Sequence, residues 1–239
     1  MAGDIRIGCS GWSYPHWKGV FYPGKLPARD HFAFYAQHFN TVELNNSFYR
    51  QPTQERFIAW GQQAPPGFLF AVKGSRYVTH IKRLVVESKS IDLVVDAARG
   101  LDNRLGPILF QLQANFHLDL LRLEHFVAML PADVRFTLEF RHDSWLVPAV
   151  FDVLRARRIA LCIPDHPKMP KSFEITSDFT YIRMHLPARG LGYGERALRP
   201  WAERVLEWRG RKLDVFVYFN NDIEGHAIKD AQTLISLLH

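Results

Sequence analysis

Eight short runs of β-forming residues recur along the chain with helix-forming segments between them, and this alternation constrains the fold more than any other feature. The runs are Ile5 to Cys9, Thr41 to Asn45, Phe68 to Lys73, Ile108 to Leu112, Arg135 to Arg141, Ile159 to Ile163, Thr180 to His185 and Asp214 to Phe219. Three stretches between or after them show the three-and-four spacing of a helix with one buried stripe. They are Phe32, Tyr35, Ala36 and Phe39; Leu120, Leu123, Val127 and Leu130; and Ala227, Ile228, Ala231, Leu234, Ile235 and Leu238. Strands that alternate with helices pair in parallel, because each helix returns the chain to the end where the next strand starts. Eight such units close into one TIM-type (β/α)8 barrel, and 239 residues is the ordinary size for it. A single domain over 1–239 is therefore expected. An open doubly wound sheet is the rival, disfavoured because Cys9-Ser10-Gly11-Trp12 is no Gly-rich dinucleotide turn.

Side chains alternate in and out along a strand, so each strand tests which of its residues line the barrel. Five agree. Val42 and Leu44 oppose Thr41, Glu43 and Asn45; Phe68, Phe70 and Val72 oppose Leu69, Ala71 and Lys73; Ile108, Phe110 and Leu112 oppose Leu109, Gln111 and Gln113. Phe136, Leu138 and Phe140 oppose Thr137, Glu139 and Arg141, and Ile182 and Met184 oppose Tyr181, Arg183 and His185. The large apolar set faces the helices, which leaves the other set inside and charged toward the strands' C-terminal ends, where barrel active sites are built.

Composition narrows the partners. With 47% hydrophobic residues a large core is affordable, and a net charge of +6 without a basic tail favours anionic ligands. Only Cys9 and Cys162 are present, far apart in apolar runs, which reads as buried thiols in a reducing compartment. No apolar run approaches the ~18 residues of a membrane span, and the first strand begins almost at the N-terminus. A cytoplasmic protein with no membrane partner is expected; the oligomeric state is left open.

Several strings carry a resemblance: Gly8-Cys9-Ser10-Gly11-Trp12, the run from Thr41 to Tyr49, Lys73 with Thr79-His80, Glu139-Phe140-Arg141-His142 with Trp145, Arg183-Met184-His185 and Phe219-Asn220-Asn221-Asp222. Together they resemble the YecE-like family, a bacterial and archaeal group of domains of unknown function (domain of unknown function 72). The resemblance implies a (β/α)8-type barrel in the broad structural company of endonuclease IV and xylose isomerase. It implies no reaction. Two departures bear on the loops after strands six and seven: Leu186 follows His185 where members often have Gly, and Ile163 to Pro167 is proline-rich.

The inward residues offer several chemistries. Glu43 and Glu139 are acid/base candidates if their environments separate their pKa values. With Lys73, Arg141 and Arg183 beside them they equally form a static ion-pair network. His142, His185, Glu43, Glu139, Asp165 and Asp222 supply ligand types for a divalent metal, but the spacing matches no metal motif and nearby cations repel one, so no metal site and no cofactor is assigned. Lys73 reads as a fixed charge or anion clamp, with a Schiff-base role if its pKa is lowered. The loops carry Trp12, Tyr14, His16, Trp17, Phe48, Tyr49, Arg50, Arg76, Tyr77, His80, Lys82 and Arg83, which can stack on bases or sugars and hold anions, while Trp12, Phe48 and Trp145 can simply plug the barrel top. Arg189-Gly190-Leu191-Gly192-Tyr193-Gly194 precedes a helix after strand seven, where barrels often seat a phosphate on backbone N–H groups. His31, His38, His125 and His226 read as surface residues.

The leading expectation is an enzyme of hydrolase or lyase type acting on an anionic, phosphorylated or nucleotide-like ligand. Its catalytic candidates are Glu43, Glu139, Lys73, His142 and His185; its ligand-binding candidates are Trp12, Asn45, Tyr49, Gln111, Arg141, Arg183, Arg189, Gly192, Asn220 and Asn221. The alternatives are a noncatalytic nucleic-acid or nucleotide module, a metal-dependent hydrolase or isomerase, and a carboxylate-pair glycosidase.

Overall fold

A computed structural model describes residues 2–239. The strands are β1 Ile5–Cys9, β2 Thr41–Leu44, β3 Leu69–Lys73, β4 Leu105–Gln111, β5 Phe136–Glu139, β6 Ala160–Asp165, β7 Phe179–Met184 and β8 Asp214–Phe219. All paired neighbours are parallel, in the order β1-β8-β7-β6-β5-β4-β3-β2. The helices are α1 His31–Tyr35, α2 Asn46–Tyr49, α3 Gln54–Gln63, α4 Ser88–Ala98, α5 Leu120–Ala128, α6 Pro148–Ala156, α7 Gly194–Gly210 and α8 His226–Ser236.

The barrel is nearly closed, and its seam lies between β1 and β2. There the regular ladder is replaced by the bridge Ser10–Glu43 and by a side chain. The Cys9 amide donates to the Tyr35 hydroxyl (2.8 Å), which donates to the Thr41 carbonyl (3.0 Å), so one phenol satisfies both strand edges. Gly8 makes the approach feasible, since a Cβ there would lie 2.1 Å from the Thr41 carbonyl oxygen.

Alternation sorts the core into two layers. Val42, Leu44, Phe70, Val72, Ile108, Phe110, Leu138 and Ile182 pack between sheet and helices. Ala71, Leu109, Ala160, Cys162, Phe179, Tyr181, Phe216 and Tyr218 fill the barrel interior. Burying each large apolar side chain contributes ~1.5–3 kcal/mol, so this pattern dictates the strand phase and hence which polar residues turn inward. The helical stripes behave as expected: Phe32, Tyr35, Leu123, Val127, Ala227, Ile228, Ala231 and Leu234 are buried. Asp119 caps α5 by accepting from the Arg122 amide (3.0 Å), and Pro148 opens α6, where its missing N–H is harmless.

One of the eight expected units lacks its helix. Between β6 and β7 the chain crosses the outside as an irregular strap, in which Pro167 and Pro170 deny helical hydrogen bonds and no three-and-four stripe exists. The Thr176 hydroxyl anchors it by accepting from the Leu161 amide (2.8 Å) and donating to the Ile159 carbonyl (2.7 Å). Phe173 of the strap packs on α7, with the Arg204 guanidinium 3.8 Å from its ring centre. Among the described residues no helix is long and apolar enough to cross a membrane. His31 departs from its expected surface position: it is buried, stacked 3.9 Å from the Tyr22 ring.

Candidate functional site

Above the apolar filling of the barrel lies a charged floor whose hub is Arg183. Its Nε and Nη2 donate to the two oxygens of Glu43 (2.9 and 2.8 Å), and its Nη1 donates to Glu139 (2.8 Å). The Ser10 hydroxyl and the Tyr181 phenol also donate to Glu43, each at 2.7 Å. Arg141 donates to the other oxygen of Glu139 (2.6 Å) and to the Gln111 amide oxygen (3.0 Å). Both carboxylates are fully buried. Burial opposes ionisation of Glu43, but the Arg183 charge and its hydrogen bonds outweigh it and hold the carboxyl below the usual range. Burial likewise opposes ionisation of Glu139, and Arg183, His185 and Arg141 hold that group well below the usual range.

His185 stands at the edge of this floor. The Asn220 amide donates to its Nδ1 (3.0 Å), which places the ring proton on Nε2, 3.4 Å from Glu139. Burial pushes its pKa below the imidazole norm against the attraction of Glu139, so the ring is neutral near pH 7.

Lys73 is the exception to the pairing. It ends β3 on the inward face, is 9% exposed, and has no carboxylate within ion-pair distance among the described residues. Its Nζ instead lies 4.2 Å from the centre of the Phe48 ring. Burial first, then the Arg183 charge, lowers its pKa to about 8. The His80 ring meets the same phenyl edge-on at 4.9 Å, and its Nδ1 is 2.8 Å from the Thr79 hydroxyl. Burial and then the charges of Lys73, Arg141 and Arg76 lower the pKa of His80 too. His80 belongs to a single π-turn, Tyr77–Ile81, an irregularity frequent at functional sites.

Asn45, Arg141 and His185, expected in strands, lie just past the ends of β2, β5 and β7 and so reach the mouth. Trp12 and Asn45 line a cavity of about 240 Å³ together with Gly11, Tyr14, Leu44 and Asn46. Trp12 also leans on Phe32 and Trp60; Phe48 is buried at the mouth, and Trp145 is buried against Phe116 and Phe140 in the layer between sheet and helices, not as a plug of the barrel top. Tyr49 is 73% exposed on the rim.

The remaining candidates are elsewhere. His142 caps the turn at Asp143–Trp145 by accepting from the Ser144 amide (3.2 Å) and lies against His117, away from the floor. The loop of Arg189 and Gly192 was expected to present free backbone donors, but the amides of Tyr193 and Gly194 already donate to Asp230 (2.9 and 3.1 Å). An internal carboxylate thus occupies the phosphate position at the start of α7. Asn221 serves the same anchor, donating to Asp230 (2.8 Å) and to the Leu191 carbonyl (2.9 Å). Gly192 packs closely on His226: a Cβ there would lie 2.4 Å from that ring as it stands. Arg189 is exposed.

The donor set does not fit a metal. Glu43 and Glu139 are paired with guanidinium groups, Asp165 pairs with Lys171 (2.6 Å), and Asp222 lies by His16 (3.6 Å). Among the described residues no group of three or more His, Cys, Asp or Glu side chains is arranged to hold one. A glycosidase pair needs an open gap between its carboxylates, and here Arg183 fills it. Sequence reasoning left Ser10, Tyr181 and Asp230 off the site, and named Phe48 and His80 only among the rings and bases of the loops. Tyr181 was detectable from its inward phase, whereas nothing local to Asp230 points to a loop 36 residues away.

Residues 6–239 match the family described as "Protein of unknown function DUF72". UPF0759 protein YunF of Bacillus subtilis (strain 168) is 26% identical over 98% of this chain and 94% of its own length. UPF0759 protein YecE of Escherichia coli (strain K12) is 30% identical over 59% of this chain and half of its own length. A DUF72 family protein from Thermotoga maritima MSB8 superposes with a TM-score of 0.88 at 28% identity, covering 98% of this chain and 99% of that one. The matched family, the relative aligned over nearly its whole length and the shared barrel make this chain a member of the DUF72 family of unknown function.

Proposed function

We propose that the protein is an enzyme that binds a small anionic ligand at the barrel mouth and carries out acid–base chemistry on it, of hydrolase or lyase type. The observation that carries this reading is the unpaired ammonium of Lys73 above a floor where three cations, Lys73, Arg141 and Arg183, face two carboxylates. The excess of one positive charge, in a place sheltered from water, is complementary to one anion. Lys73 and the partly exposed Arg141 hold that anion. His185 and His80, both neutral near pH 7, move protons. Glu43 and Glu139 hold the guanidinium groups in place, their own oxygens being occupied. A cytoplasmic setting belongs to the same proposal, since Cys9 and Cys162 are unpaired and buried.

The test is thermal unfolding with inorganic phosphate, sulfate or small carboxylates, against chloride at equal ionic strength. Phosphate at ~100 times its Kd stabilises the wild type by ~2.7 kcal/mol, and Lys73→Met abolishes the effect. Equal stabilisation of both proteins overturns the reading.

A noncatalytic nucleotide module is the second reading, favoured by the rim. Exposed Tyr49 and Tyr77 stand beside Arg50, Arg76 and Lys82, with the Lys82 ammonium 5.7 Å from the Tyr77 ring centre. Binding of a short single strand that weakens steeply with salt, together with no turnover, would select it.

A further inference from the structure

The anion reading uses Lys73 only as a charge, yet its surroundings are not those of a structural cation. A lysine that balances a buried carboxylate sits within ion-pair distance of it. Here both oxygens of Glu43 and of Glu139 already receive guanidinium, hydroxyl or phenol donors, and neither carboxylate lies within ion-pair distance of Nζ. What Nζ faces is the Phe48 ring, which accepts no proton and offers no hydrogen bond to an amine lone pair. A pKa of about 8 leaves about one amine in ten neutral at pH 7, against fewer than about one in a thousand for an ordinary lysine. Two proton carriers belong to the same mouth: His80, against the same phenyl ring, and His185 at the edge of the charged floor, whose Nε2 bears the proton.

We propose that Lys73 is a nucleophile that condenses with the carbonyl group of a small anionic oxo compound, a 2-oxo acid or a phosphorylated aldehyde or ketone, to form an imine. The proposal rests on the anion reading of the same mouth, because Arg141 is the group that receives the carboxylate or phosphate. In the step, the neutral Nζ attacks the carbonyl carbon, a C–N bond forms, and the carbonyl electron pair moves to oxygen. The two protons that nitrogen loses pass to that oxygen through the neighbouring imidazoles. The oxygen leaves as water while the nitrogen lone pair closes the C=N bond. Amine and carbonyl give imine and water, with no oxidant or reductant.

The experiment is reductive trapping of the full chain by cyanoborohydride with glyoxylate at pH 7, with the modified lysines located by peptide mass. Lys73 is expected to be labelled at least about tenfold faster than the surface lysines, and phosphate is expected to slow that labelling alone. Lys73→Arg keeps the charge and cannot form an imine; it is expected to retain phosphate stabilisation and lose the fast label. Labelling of Lys73 no faster than the surface overturns the imine. If phosphate still stabilises the wild type but not Lys73→Met, only the imine falls; if that effect is absent as well, the anion reading falls with it. Equally fast labelling by acetaldehyde, without protection by phosphate, overturns the anionic substrate class.

Discussion

Lys73 shows how one side chain can carry an energetic penalty in the fold. Its pKa falls from 10.5 to about 8 because burial, and then Arg183, disfavour the ammonium. A base with a depressed folded value binds fewer protons in the native state than in the unfolded state between those two pH values. Stability therefore rises across that window, and the full penalty is present below it. Lys73→Met is accordingly expected to be more stable than wild type at pH 7, by up to ~3 kcal/mol. The difference closes as pH rises from 8 toward 10.5. Denaturant titrations across that range check this; a Met variant less stable than wild type at pH 7 would show that Lys73 is a structural charge. The inward position of Lys73 was legible from alternation alone, since Leu69 and Ala71 share its face. Its lack of a partner was not, because that depends on Arg183, from a strand far along the chain, having claimed both carboxylates.

At the scale of elements, two features have measurable consequences. Tyr35 of α1 satisfies an amide of β1 and a carbonyl of β2 at the seam. Tyr35→Phe leaves both without that partner and is expected to cost ~1–3 kcal/mol, with the Cys9 amide exchanging its hydrogen faster while amides in the β7–β8 ladder are unaffected. The second feature is Asp230 of α8, which occupies the backbone donors that open α7. Asp230→Ala frees those donors, so a phosphate site absent from the wild type is expected at Tyr193 and Gly194, detectable by amide chemical shifts on phosphate titration. No shift at those amides would mean that the loop rearranges once its anchor is lost. The glycine-rich run and its place before a helix after strand seven suggested an anion. What it concealed was that the anion is an aspartate of the same chain. The missing sixth helix had a local sign in the proline-rich run from Ile163 to Pro167, although eight helical units were expected; Pro170 extends the same sign.

For the whole molecule, the buried network ties β2, β5 and β7 together through one guanidinium. Arg183→Met leaves two buried carboxylates without it and is expected to cost ~3–5 kcal/mol at pH 7. The pH response should also reverse sign. In the wild type the folded pKa values of Glu43 and Glu139 lie below 4.5, so their contribution is present above that pH and is lost as pH falls through the depressed values. In the variant, burial without the guanidinium raises them, so stability is lost as pH rises. Unfolding midpoints between pH 4 and 8 decide the matter, and parallel curves for the two proteins would remove the network from the stability of the barrel. The eight-strand plan was legible because apolar alternation is a local property of each strand. The pairing of Glu43 with Arg183 was left open beside a catalytic reading, since inward phase brings the charges together without saying which oxygen meets which nitrogen.

That pairing also spans 140 residues of chain. A ribosome delivers Glu43 long before Arg183, and β2 through β5 leave the exit tunnel with two carboxylates aimed at an interior that holds no guanidinium from β7. The N-terminal half is thus a poor candidate for an autonomous half-barrel. Its lumen is expected to stay hydrated until β7 emerges, which would make drying of the interior a late event in the life of each newly made chain.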